Sequence, residues 1–450
     1  MSTSITASED LAAVPEPGSR RDPVEILQDQ AITRLPDLVP VRYGRMAATP
    51  FTFFRGAAAI MAADLASTPE SGIHTQLCGD THLSNFGLFF TPERRMAFDL
   101  NDFDETHPGP FEWDVKRLVA SFAVACRNNG FRRKDTTKIV REVARTYRAI
   151  MIESAGRSAL ECWYAKVDAD ELVTALGERL DTAQLTETRK ALKKARHRNS
   201  MQALSQLCHI DADGTPHIRY DPPLMVPLDI LAPGGAGKQI FTHMTERFAG
   251  YATTLAPSVA TLFSQYTLLE IARKVVGVGS VGNRSWIALF QGADHGDPLF
   301  LQMKEAQPSV LAPYVPEHPF GNQGERVVRG QQLMQAASDI FLGWKTTTEL
   351  DGTPRDYYVR QLRDGKGSVV VEALSPEGMR YYARMCGGVL AQAHGRSPER
   401  RAIAEHLDAI DDFDKAMTRF ALAYADITDA DHAALTDAID RGIIRATDLG

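Results

Sequence analysis

The chain has no basic excess. Its 450 residues carry 50 Lys and Arg against 57 Asp and Glu, a formal charge of −7. A dedicated nucleic-acid binder is normally strongly basic, and that class is excluded. Long apolar runs are missing too, since none approaches the roughly 20 residues a membrane helix needs. The opening stretch, Met1 to Pro23, is polar and has no apolar signal core, which points to a cytoplasmic protein with no membrane partner. Cysteine is scarce. Cys78, Cys126, Cys162, Cys208 and Cys386 are odd in number, far apart, and contain no Cys-x-x-Cys pair. That pattern supplies neither a disulfide framework nor a zinc signature, and buried free thiols account for it. Internal repeats are absent. Low complexity is confined to residues 1–24, whose Ser, Glu, Pro and Gly predict a flexible tail.

Present instead is an ordinary globular composition, 44% hydrophobic and 24% charged, in a chain long enough for two or three domains. Apolar spacing predicts a helix over Thr52–Ala66, a short strand at Thr75–Cys78, and strands at Phe86–Phe90 and Arg95–Leu100 joined by a turn at Thr91–Arg94. From Trp113 to about Leu262 helical spacing prevails, in Lys116–Arg127, Thr136–Ser154, Asp170–Leu176 and a basic helix Arg189–Leu207 that includes Lys193, Arg196 and Arg198. Between Tyr266 and Arg363, short runs of Val, Ile, Phe and Tyr alternate with Gly, Asp and Pro. They predict an antiparallel sheet interrupted by one helix, Glu325–Phe341. Pro376–Ile444 returns to helix.

Two clusters carry chemistry. In Cys78-Gly79-Asp80-Thr81-His82-Leu83-Ser84-Asn85 a carboxylate and an amide share one loop, and Phe98-Asp99-Leu100-Asn101-Asp102-Phe103-Asp104-Glu105 follows at the end of an apolar strand. So many acids in so few residues repel one another unless a cation is near. Magnesium takes a few hard oxygens from the protein and keeps water and phosphate oxygens for the rest. Asn85, Asp102 and Asp104 are the candidate ligands, with Asp99 an alternative to Asp102 as the main one.

The second cluster is Gly277-Val278-Gly279-Ser280-Val281-Gly282, formally G-x-G-x-x-G. In a dinucleotide-binding fold that turn opens a helix whose N-terminus receives the pyrophosphate. Here Ser285–Phe290 reads as a strand, and Leu299–Lys304 as another ending in a lysine. Strand, glycine turn, strand, hairpin, strand with lysine resembles the kinase order, which implies that the turn of Gly277, Gly279, Ser280 and Gly282 covers the phosphates of a nucleotide and that Lys304 pairs with them. A lysine in that role needs a carboxylate to hold it. Glu325 is the candidate, with Glu305 and Gln332 as substitutes.

The first cluster resembles the kinase catalytic loop, and more closely the aminoglycoside and choline kinase branch, with Gly79-Asp80-Thr81-His82, Asp102-Phe103-Asp104, Gly109-Pro110 and Asp114 in matching order. The resemblance implies ATP and Mg²⁺ as cofactors, Asp80 as catalytic base, Asn85, Asp102 and Asp104 on the metal, and Asp114 bracing the loop. It also implies an α+β, protein-kinase-like two-lobed fold that is circularly permuted, because the glycine turn and Lys304 come after the catalytic loop. The expected division is residues 1–24 flexible tail, 25–264 mainly helical catalytic lobe, 265–365 β-rich nucleotide-binding lobe, and 366–450 C-terminal helices packing on the catalytic lobe. Phrases such as Thr49-Pro50-Phe51-Thr52-Phe53-Phe54-Arg55-Gly56, Gly109-Pro110-Phe111-Glu112-Trp113-Asp114 and Tyr358-Val359-Arg360-Gln361 look like the bacterial domain-of-unknown-function family 2252. The implied activity is phosphoryl transfer to a hydroxyl of a small-molecule acceptor. Transfer of AMP, or ATP binding without catalysis as a scaffold, are the alternatives.

Overall fold

The computed structural model describes residues 8–16, 18–171, 190, 192–197, 199–275, 277–294, 296–349, 352–362 and 365–447. Most of the helix expected at Asp170–Leu176 lies outside them, as do Arg198, Val276 and Arg363.

The chain forms mixed α and β structure with antiparallel sheets. Strands β1 (His74–Leu77) and β4 (His107–Pro110) pair with each other, and β2 (Phe86–Phe90), β3 (Met96–Leu100) and β5 (Val167–Asp168) form a second small sheet. These sit on a helical body made of Phe111–Asn128, Arg133–Ala155, Pro376–Gly395 and Phe413–Asp440. The first of these buries nearly its whole surface, Lys116 and Arg117 included, and it threads the largest core of the molecule.

Strands β6 (Cys208–Ile210) and β7 (Pro216–Ile218) form a separate hairpin. The main sheet has six strands in the order β12 (Gly343–Thr348), β13 (Pro354–Gln361), β11 (Pro298–Glu305), β10 (Ser285–Gln291), β9 (Thr267–Lys274), β8 (Met225–Pro227). Register places Ser285 opposite Lys304, and Lys304 opposite Tyr358. Every residue of β11 is buried, because the sheet is covered on both faces. On one side Met244, Phe248, Tyr251 and Phe263 pack against Ile271, Ala288, Phe290 and Leu301. On the other Ala203, Leu204 and Leu207 meet Ala272, Ile287, Leu289 and Phe300. The helices of residues 200–263, grouped by sequence with the catalytic lobe, therefore pack on the sheet.

Three local differences have clear causes. The expected helix Thr52–Ala66 is two helices, Pro50–Gly56 and Ala58–Leu65, broken at Ala57. At the break, guanidinium groups serve the backbone: Arg117 donates to the Phe54 carbonyl at 2.7 Å and Arg42 to that of Gly56 at 3.0 Å. The helix expected over Glu325–Phe341 spans Gln323–Met334. It ends where Gln335 turns extended and donates to the Leu100 carbonyl at 2.7 Å, while Ala336 N–H donates to the Asp99 carboxylate at 2.9 Å. The N-terminal segment, expected as a flexible tail, is packed where it is described. Leu11 is fully buried, and Arg20 donates to Asp64 and Asp431 at 2.7–2.8 Å.

Candidate functional site

The loop after β1 is held from below. Asp114, in the first turn of helix Phe111–Asn128, accepts from Cys78 N–H at 2.7 Å and Gly79 N–H at 3.0 Å, with His394 Nε2 at 3.3 Å. A buried carboxylate with three donors is well compensated, and it clamps the backbone just before Asp80. Gly79 itself is required: its φ is +85°, and a Cβ there would lie 2.1 Å from the Glu105 carbonyl oxygen. The loops of Asp80 and Glu105 are thus in backbone contact.

Asp80 faces the cleft, its Oδ1 taken by Arg117 Nε at 2.9 Å and Nη2 at 2.8 Å. Burial pushes its pKa up, against the pull of Arg117 and Arg55. His82 organises the loop by accepting from Ser84 N–H at Nδ1, 3.2 Å. Burial, with Arg55 and Arg117 nearby, lowers its pKa well below the ordinary value, so the ring is neutral. Asn85 Nδ2 donates to the Asp80 carbonyl at 2.6 Å, which turns its amide oxygen away from that bond.

Asp102 and Asp104 follow on the next loop, tied by the Asp104 N–H to Asp102 Oδ1 bond of 3.3 Å. Burial first, then the charge of Asp104, raises the Asp102 pKa. Asp104 goes the other way. Burial pushes upward, but Lys304 and the Tyr358 hydroxyl, both bonded to its carboxylate, hold it below the ordinary value. Lys304 is almost wholly buried and loses some charge stability to burial, which Asp102 and Asp104 outweigh, so its pKa is raised. Asp99 lies elsewhere, bonded to Leu100 N–H and Ala336 N–H. Of the two aspartates, only Asp102 lines the cleft.

The partner of Lys304 is therefore Asp104, not Glu325. The Glu325 carboxylate receives Arg329 Nε at 3.4 Å, and Glu305 is engaged by Arg284 and Arg355. Helix Gln323–Met334 instead reaches the acidic loop through the next residue. Arg326, 1% exposed, donates to the carbonyls of Asp104, Thr106 and Gln307.

Residues 277–282 form the turn between antiparallel β9 and β10, with no helix after it. Gly277 and Gly282 have φ of +67° and +94°, positions a side chain rarely adopts. Gly277, Gly279 and Ser280 line the same cleft as Asp80, Asn85, Asp102 and Asp104, which is partly open to solvent. Gly282 stands behind it, against the Arg34 side chain.

Asp102 and the Asn85 amide oxygen are hard donors lining the cleft, whereas both carboxylate oxygens of Asp104 are bonded to Lys304 and Tyr358. Among the described residues no cluster of three or more His, Cys, Asp or Glu could hold a metal by itself. An ion here would complete its shell with water or ligand oxygens, as magnesium does.

Several cleft residues escape sequence reasoning. Gln30 and Arg42 line it from the N-terminal helices and Arg34 from the turn between them, while Arg117 binds Asp80 from inside a buried helix. For Arg42 and Arg117 the only sequence signal is a charged residue within a helix.

A family model described as "Uncharacterized protein conserved in bacteria (DUF2252)" matches residues 34–438. No curated protein and no solved structure matches the chain.

Proposed function

We propose that this chain, which belongs to the DUF2252 family, is an ATP- and Mg²⁺-dependent phosphotransferase acting on a hydroxyl of a small molecule. One observation carries the reading: Asp80, Asn85, Asp102 and Asp104 share a cleft with Gly277, Gly279 and Ser280 from a distant part of the chain. The circularly permuted kinase-like assignment is supported by the sheet. Its strands β9, β10, β11, helix Gln323–Met334, β12 and β13 follow one another in the order the resemblance implies, with the glycine turn first and Lys304 on the third strand. The antiparallel strand after the turn argues against a dinucleotide fold.

In this reading the turn N–H groups cover the phosphates and Lys304 neutralises their charge. Asp102 and Asn85, with Asp104 as an additional ligand, would hold magnesium, which would supply further charge neutralisation. Asp80 positions the acceptor hydroxyl and takes its proton as the new P–O bond forms and ADP departs. Asp114 fixes the backbone on which Asp80 stands, and Arg326 fixes the loop of Asp104.

A second reading is transfer of AMP, with the nucleotide bound in the opposite sense. Product mass separates the two. ATP binding without turnover would instead indicate a scaffold.

The test is thermal melting with Mg²⁺ and each of ATP, GTP, AMP and NAD⁺, for wild type, Lys304→Ala and Asp102→Ala. A ligand at about a hundredfold over its Kd stabilises by about 2.7 kcal/mol. The expected result is a magnesium-dependent ATP shift lost in both variants. Well-folded protein that shifts with no nucleotide removes the reading.

A further inference from the structure

The cleft is lined by basic residues as well. Arg34 follows helix Pro23–Ala31, Arg42 lies within helix Val39–Ala47, and Arg55 within helix Pro50–Gly56. Arg42 is 1% exposed and Arg34 9% exposed. Buried guanidinium groups are normally matched by carboxylates. Among the described residues, none of the three has an ion-pair partner. Arg42 Nη2 donates to Gln30 Oε1 at 2.8 Å and to the Gly56 carbonyl at 3.0 Å, and Arg34 Nη1 donates to the Val281 carbonyl at 2.5 Å. Arg34 Nε, Arg42 Nε, Arg42 Nη1 and Arg55 Nε are shut away from solvent with no acceptor at all.

The acids lining the cleft bond none of the three, although Glu105 and Asp104 act on Arg34, and Asp80 on Arg55, through space. Asp80 is held by Arg117, Asp104 by Lys304, and Glu105 accepts from Val310 N–H at 2.7 Å. The arginines also oppose one another. Burial depresses the Arg42 pKa well below its ordinary value, with the charge of Arg34 adding to it, and burial takes Arg34 down to about 10. Three guanidinium groups with unused donors so placed are a costly arrangement for an empty protein. A compact, multiply charged anion with several acceptors is the ligand whose chemistry matches three guanidinium groups lining one cleft.

This part of the cleft is joined to the glycine turn. Leu35 N–H donates to the Gly282 carbonyl at 2.8 Å, Arg34 packs under Gly282, and Arg45 Nη1 donates to the Gly277 carbonyl at 2.6 Å. A ligand bound there would be felt directly by the turn.

We propose that Arg34, Arg42 and Arg55 form a phosphoryl-binding subsite in the cleft that the carboxylates also line. The phosphoryl group is either the terminal phosphate of a bound nucleoside triphosphate or a phosphate already on the acceptor. The subsite stands on the guanidinium geometry alone; only the identity of the phosphate carrier rests on the phosphotransferase reading.

The test uses full-length protein and Arg55→Gln, the variant that disturbs least, because Arg55 has no hydrogen bond or ion pair among the described residues. Arg34→Gln is the second variant, with circular dichroism checking that both fold. Titration calorimetry with metal-free tripolyphosphate and with inorganic phosphate should show binding to wild type, weakened tenfold or more in both variants. Ligand-free Arg55→Gln should melt at or above wild type. If Mg-ATP binds wild type at least tenfold tighter than Mg-ADP and Arg55→Gln erases that difference, the nucleotide supplies the phosphate. If Arg55→Gln leaves Mg-ATP binding unchanged, while inorganic phosphate still adds to the ATP-saturated wild type, the acceptor supplies it. Tripolyphosphate binding that needs Arg55, with no Mg-ATP binding, keeps the subsite and removes the phosphotransferase reading. Failure of both anions to bind wild type, or equal binding by folded variants, overturns the subsite.

Discussion

Lys304 and Asp104 meet as an ion pair across 200 residues of sequence. The pair joins the sheet to the acidic loop, and Tyr358, directly opposite Lys304 on the neighbouring strand, donates its hydroxyl to the same carboxylate. Lys304 is 2% exposed at its side chain, so the contact is made away from solvent. It also places the ammonium beside Asp102, whose own charge has no cation bonded to it among the described residues. Lys304 and Arg360 act on Asp102 only through space, whereas Lys304 bonds Asp104 directly.

Breaking that pair from one side should be worse than removing it. Lys304→Met leaves Asp104 buried next to Asp102, and uncompensated buried charges cost about 3–5 kcal/mol. Adding Asp104→Asn removes the stranded charge, and the double variant should recover part of the loss. Urea unfolding of both singles and the double measures the coupling. A double variant as unstable as the sum of the singles would show that the two side chains act independently.

Asp114→Asn should damage the site while leaving its shape. An amide of the same size offers one acceptor and presents N–H groups where the carboxylate accepts from Cys78, Gly79 and His394. Hydrogen bonds to a charged group contribute roughly 1.5–3 kcal/mol each, so a loss of about 2–4 kcal/mol is expected. Any Asp80-dependent turnover should fall with it. Unchanged unfolding and unchanged turnover together would mean the loop is held by other contacts.

Lys116 supplies a pH test outside the cleft. It is fully buried in the largest core, its Nζ without a hydrogen-bond partner and 5.0 Å from the Phe420 ring centre. Burial, only partly opposed by Glu112, takes its pKa from 10.5 down to about 8. Below about pH 8 the ammonium is present in both folded and unfolded chains, and its burial destabilises the fold in full. Between about 8 and 10.5 the unfolded chain holds a proton the folded one has released, so stability rises with pH. Each tenfold loss of proton affinity on folding corresponds to about 1.4 kcal/mol, so Lys116→Met should raise stability at pH 7 by about 3 kcal/mol. The same substitution should flatten the rise between pH 8 and 10.5. Unfolding midpoints of both proteins at pH 7 and pH 10 check it, and a less stable variant at pH 7 would refute it.

The sequence is most legible where chemistry and periodicity coincide. Strands Phe86–Phe90 and Ser285–Gln291 follow from short apolar runs bounded by turn residues, and the glycine turn between two strands is readable because no helical pattern follows Gly282. The role of Asp114 is readable through the kinase-loop resemblance, which puts an acid at a helix start beneath the loop, where it accepts from Cys78 and Gly79. The partner of Lys304 is not. Local order along the chain favours the next helix, and only the packed structure brings Asp104 to the lysine in place of Glu325. Arg34 and Arg42 are hidden for a related reason: a buried arginine has the same spelling whether it faces a carbonyl, an acid or an open cleft.

The N-terminal segment is where composition misleads most, and it yields the sharpest stability test. Ser, Glu, Pro and Gly suggest mobility, yet one residue anchors the segment. Arg20 reaches both oxygens of Asp64 and both of Asp431, which are 4% and 5% exposed, and Tyr424 donates to Asp64 at 2.7 Å. Arg20→Met would leave two buried carboxylates facing each other, and a loss of about 3–5 kcal/mol at pH 7 is expected. Burial already raises the Asp431 pKa, with Arg20 opposing the rise. Without Arg20 the folded-state value climbs further above that of the unfolded chain. The folded variant then binds more protons than its unfolded form as pH falls, and it gains stability relative to wild type. The gap between the two proteins should therefore narrow from pH 7 to pH 5 in guanidinium unfolding. A variant within about 0.5 kcal/mol of wild type at pH 7, the ordinary range for a surface change, would mean that the segment detaches freely and that composition described it correctly.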